Sequence, residues 1–177
     1  MIAVDKHWIQ WWCAPWHVAH RGWIEPFVEA CGWPMAQAHQ LLLGRHSAFL
    51  SSVGIAPTQP PEPNEGVVQW LRLTDDQRHQ ALQLAASICL GLRVPGDGGA
   101  ADEAWCRAVA KALRPGAWLD PATQDPRALL AAWAGEACWS RLRLSWAPDA
   151  LQPAFNDLPS NKLQTLWQAV LWRVSRG

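Results

Sequence analysis

The stretch TDDQRHQALQLAASICLGL, residues 74–92, decides the fold class. Thr74-Asp75-Asp76-Gln77 has the form of a capping box, in which the Thr and Gln side chains satisfy each other's free backbone amides at a helix start. Behind it Ala81, Leu82, Ala85, Ile88, Cys89 and Leu92 recur at helical spacing, so one face of a long helix is apolar.

The same period continues toward the C-terminus. After the loop Pro95-Gly96-Asp97-Gly98-Gly99, Asp102 restarts a helix with Trp105, Ala108, Val109, Ala112 and Leu113 as its expected buried face, closed by Arg114-Pro115-Gly116. Asp125-Pro126 starts another through Leu129, Leu130 and Trp133, with Gly135 as a break or a close approach. Ser160 opens the last helix, whose stripe is Leu163, Leu166, Trp167, Val170, Leu171 and Val174.

Toward the N-terminus the elements shorten. Asp5 to Ala14 reads as a helix capped by Asp5 and ended by Pro15; Trp16 to Cys31 reads as two pieces interrupted by Gly22 and Pro26 and stopped at Gly32. A helix is predicted over 34–44, and Ser47 is positioned to cap a short one carrying Phe49, Leu50 and Val53. The four prolines of APTQPPEPNEG, residues 56–66, predict an extended linker. Only 141–146 alternates as a strand would. The expectation is an all-α, compact multi-helix domain of about seven to nine helices with no substantial sheet. One domain spans 1–177, with a possible seam at 56–66 between a Trp-rich part (1–55) and a main part (67–177).

Of the 177 residues half are hydrophobic and 17% charged, a balance that supports a core and argues against disorder. Fifteen basic and fifteen acidic residues cancel, so no general field gathers nucleic acid. The N-terminus lacks the basic-then-apolar pattern of a secretory signal, and the longest aliphatic run is Leu41-Leu42-Leu43. A cytoplasmic protein is expected, peripheral to a membrane at most through a partner.

Chemistry-bearing residues do not converge in the sequence. Cys13, Cys31, Cys89, Cys106 and Cys138 form no CxxC pair and read as buried thiols. His7, Cys13, His17 and His20, with Cys31 beyond, are the sharpest metal or thiol candidates, but Pro15 breaks the helical register of Cys13, His17 and His20. The glycine loop at 95–99 lacks the lysine of a phosphate loop, and Glu25, Glu29, Glu103 and Glu136 are scattered. No catalytic residue, cofactor or metal is assigned. A small metal- or thiol-dependent enzyme built on Cys13, His17 and His20 remains an alternative.

Fourteen tryptophans stand against no tyrosine, and arginine outnumbers lysine twelve to three, a bias that GC-rich coding favours. Trp8, Trp11, Trp12, Trp16, Trp23 and Trp33 are still dense for a small helical core, each ring covering about 150–250 Å². Trp8, Trp11, Trp12 and Trp16, together with Trp167 and Trp172 on the last helix, are therefore candidates for a protein-binding surface. Internal packing is the competing use.

LQLAASICLG (82–91), followed by DPRALLAAWAGE (125–136) and LRL (142–144), resembles the SctK (YscK, MxiK, OrgA) accessory proteins of bacterial type III secretion systems. The likeness lies in layout: a short helical N-terminal part, a proline-rich joint, then helices over roughly 67–175. It implies a non-enzymatic adaptor of the cytoplasmic sorting platform, joining an SctD-type ring protein to an SctQ-type pod protein. A chaperone or immunity-type protein that caps one partner is the other binding role expected.

Overall fold

Thr74 and Gln77 form the expected box, with Thr74 Oγ1 accepting from the Gln77 amide at 3.2 Å and Gln77 Oε1 accepting from the Thr74 amide at 2.9 Å. The helix they start runs from Asp75 to Leu90 and ends where Gly91 turns left-handed, at φ 67°. That turn takes Leu92 off the stripe and leaves it half exposed, a correction to its expected burial.

The structure is a computed structural model that describes residues 6–93, 99–150 and 157–176. Among these there are ten α-helices and no strand. In chain order they are α1 (Lys6–Cys13), α2 (Arg21–Ala30), α3 (Ala38–Gly44), α4 (His46–Ser52), α5 (Glu65–Arg72), α6 (Asp75–Leu90), α7 (Gly99–Leu113), α8 (Arg127–Ala134), α9 (Glu136–Leu142) and α10 (Ser160–Val174). Residues 141–146, the one strand-like stretch, are the end of α9 and a 3-10 turn. The all-α class holds, and the count slightly exceeds the expected range; α5, which directly follows the proline stretch, is a helix that was not expected. The Asp5 cap and most of the 95–99 loop lie outside the described residues.

The chain divides into two units, Met1–Asn64 with Ala137–Ala150, and Glu65–Glu136 with Leu151–Gly177. The cut at 64/65 lies within the proline-rich stretch, but 137–150 returns to the first unit.

In the second unit α10 is the hub, packing on α5, α6, α7 and α8. Its six expected stripe residues are all buried. Trp167 meets Trp70 edge-on with centroids 5.8 Å apart, stacks on Trp133 at 5.6 Å, and donates its indole N–H to the Leu129 carbonyl at 3.2 Å. Gln77 Nε2 also donates to the Val174 carbonyl, tying the start of α6 to the end of α10. On α7 the buried residues are Cys106 and Leu113, while Ala108 and Ala112 are exposed. The face is rotated from the expected one toward Cys106, whose thiol lies against the Leu84 carbonyl of α6, and on the same side Asp102 accepts two hydrogen bonds from Arg173 of α10 at 2.7 and 3.2 Å.

In the first unit Trp16, Leu42, Phe49, Leu50, Val53, Ile55 and Leu144 form one buried cluster. The expected interruption at Gly22 and Pro26 is absent: α2 is continuous. Gly22 serves close packing, since a Cβ there would lie 2.9 Å from Pro148 Cδ, and His20 Nδ1 caps the helix by accepting from the Gly22 amide. Ser47 lies inside α4 rather than at its cap.

Candidate functional site

The N-terminal tryptophans are placed by the backbone acceptors they reach. A proline-rich segment has carbonyls but little ladder to satisfy them, so an indole N–H is a suitable donor. Trp8 Nε1 donates to Pro61 O at 2.9 Å and Trp12 Nε1 to Thr58 O at 3.1 Å, strapping the segment to α1. Trp8, Trp11 and Trp12 also pack ring against ring, with centroids 5.3 to 6.1 Å apart.

The return segment supplies the other side. Its Leu144 carbonyl accepts from the His20 amide and its Trp146 carbonyl from Trp23 Nε1. In the opposite sense, Arg143 donates to the Val53 carbonyl with its guanidinium over the Trp23 ring, and Arg141 Nε donates to the Trp12 carbonyl at 2.9 Å. Arg141 lies 3.7 Å above the Trp12 ring centroid, and its Nη1 reaches the Ala137 carbonyl. Burial lowers the pKa of both arginines below their usual range, yet a guanidinium stays protonated near neutrality.

Arg141 is 3% exposed and is the only buried charged residue among those described. No carboxylate pairs with it among the described residues, and its Nη2 has no hydrogen-bond partner. It forms part of the wall of a cavity of about 310 Å³, together with Cys13, His46, Ser47, Thr58 and Gln59. The sequence signal for this site is the alternation of Arg141 and Arg143 with Leu142 and Leu144, which reads as strand-like but here sets two arginines among buried leucines.

Of the six tryptophans expected at a partner surface, Trp8, Trp11, Trp12, Trp16 and Trp167 are buried, and Trp172 is 51% exposed. Trp172 carries the Arg176 guanidinium 4.5 Å over its ring. In the first unit the exposed large apolar residues include Trp33 and Met35, in the turn between α2 and α3, and Leu43 on α3.

The Cys13, His17 and His20 candidates diverge. Cys13 lines the Arg141 cavity, His17 lies against His39 with ring centroids 5.4 Å apart, and His20 is the α2 cap. Among the described residues no group of three or more His, Cys, Asp or Glu could hold a metal. Burial pushes the Cys89 thiol up to about 12 and raises Cys106 and Cys138, which makes them poor nucleophiles near neutral pH.

No described helix is long and apolar enough to cross a membrane. Comparison of the chain with protein-family models, with curated proteins and with solved structures gives no match.

Proposed function

We propose that the protein is a non-enzymatic adaptor that bridges two proteins, and that these are the SctD-type ring and SctQ-type pod components of a bacterial type III secretion sorting platform. The observation that carries the bridging role is the two-sidedness of α10. Six of its side chains are buried in the second unit, while Trp172 presents half its indole outward beneath Arg176. Tryptophan and arginine are the residue types that most often dominate binding energy at protein interfaces. The exposed Trp33, Met35 and Leu43 offer the first unit its own apolar contact. The type III assignment rests on the likeness of 82–91, 125–136 and 142–144 to the SctK proteins, and with it goes a cytoplasmic location.

The test is co-purification of the full chain with the ring and pod proteins of its host. Trp172→Ala should weaken capture of one of them at least tenfold with the circular dichroism of the native protein retained, the loss expected of an interface anchor of about 2 kcal/mol. Unchanged capture by the variant, or no capture of either component by the native chain, rejects the assignment. A chaperone or immunity-type protein would instead bring down a single cognate effector or toxin.

A further inference from the structure

We infer that the cavity beside Arg141 is a carboxylate-binding site. A cation removed from water is costly unless an anion and hydrogen bonds replace its hydration. Arg141 has two backbone carbonyls and the Trp12 ring face, but no counter-ion among the described residues and no acceptor for Nη2. A buried side chain left in that condition calls for an explanation, and the adjoining cavity supplies one.

The occupant's chemistry follows from the wall. Arg141 is the one permanently charged side chain there, so it balances one negative charge, as a carboxylate carries, rather than the two of a phosphate at neutral pH. Ser47, Thr58 and Gln59 add neutral donors for the second oxygen, and none of these side chains is engaged in a hydrogen bond within the described residues. His46, another cavity-lining residue, adds an imidazole that can donate a hydrogen bond to the same oxygen. A volume of about 310 Å³ accommodates a small organic acid or the end of a glutamate side chain.

Cys13, exposed and on the same wall, reports on the site in the unaltered protein, and Cys31 is an internal control outside it. Alkylation of the full chain with iodoacetate and with iodoacetamide, read at each cysteine by mass spectrometry, gives a rate ratio for a charged against a neutral reagent. The ratio at Cys13 should exceed that at Cys31 on the order of tenfold, the size of one charge-assisted hydrogen bond. Benzoate should protect Cys13 from iodoacetamide and benzamide should not. A peptide acetylated and amidated at its ends, with one glutamate as its sole charge, tests whether the carboxylate can come from a protein: protection by the peptide but not by its glutamine counterpart assigns a side-chain source, protection by benzoate alone a free acid. Ser47→Asp, which places a carboxylate in the cavity, should bring the Cys13 ratio down to that of Cys31. Equal ratios in the native chain, or protection by neither benzoate nor peptide, overturn the inference.

Discussion

Trp8 donates its indole N–H to the carbonyl of Pro61, 53 residues further along the chain, at 2.9 Å. With Trp12 and Thr58 it turns a proline-rich run into a strap held against α1. Trp8→Phe keeps an aromatic ring beside Trp11 and Trp12 but removes the donor. It should cost about 1–2 kcal/mol, the range for one hydrogen bond lost from a partly buried acceptor. Hydrogen exchange over residues 57–64 should quicken in parallel, and unchanged exchange there would show that the strap is held by other means.

Trp167 occupies the centre of the second unit, between Trp70 and Trp133. Trp167→Leu removes both ring contacts and the hydrogen bond to Leu129. A loss of about 3–5 kcal/mol is expected in urea denaturation, as for truncation of a large core aromatic. Trp172→Leu, on the outer side of the same helix, should change stability by less than about 0.5 kcal/mol.

Gly22 is needed for the approach of Pro148 rather than for backbone freedom. In Gly22→Ala the new methyl meets Pro148 Cδ at 2.9 Å, so one of the two segments must shift. Destabilisation of about 1–3 kcal/mol is expected from overpacking. Gly44→Ala, which meets nothing within 4 Å and removes a flexible residue from a helix end, is the matched control.

The partly buried Cys89 thiol predicts an alkaline limit. Cys89 ionises at the ordinary 9.0 when unfolded and at about 12 when folded, because burial disfavours the thiolate. Unfolding therefore releases a proton above 9.0, so this contribution is whole at lower pH and is lost as pH rises from 9.0 toward 12. Urea midpoints compared at about pH 8 and about pH 10 should fall less for Cys89→Ala than for the native chain. Cys106 and Cys138 remain in both proteins, so the difference isolates Cys89. Equal falls would place Cys89 in contact with water.

What was legible in the sequence was local. Thr74, Gln77 and Gly91 fix the ends of α6 through contacts within five residues, and the apolar spacing of α10 picked out its buried face in full. What escaped depends on distant partners. The buried face of α7 is set by partners on other helices, Leu84 and Arg173, and Arg141 is defined by a carbonyl 129 residues away, where no periodicity reaches. The tryptophans show both limits: their number was evident, but their use as donors to a proline-rich strap depends on where that strap runs.

The return of 137–150 to the first unit bears on biosynthesis. When the ribosome has delivered residues 1–64, the carbonyls of Trp12 and Val53 still await Arg141 and Arg143, and the indole of Trp23 still awaits Trp146. The first unit thus remains unfinished until residues 137–150 have been synthesised, and a nascent chain stalled before Ala137 exposes those aromatic rings to any chaperone at the exit tunnel.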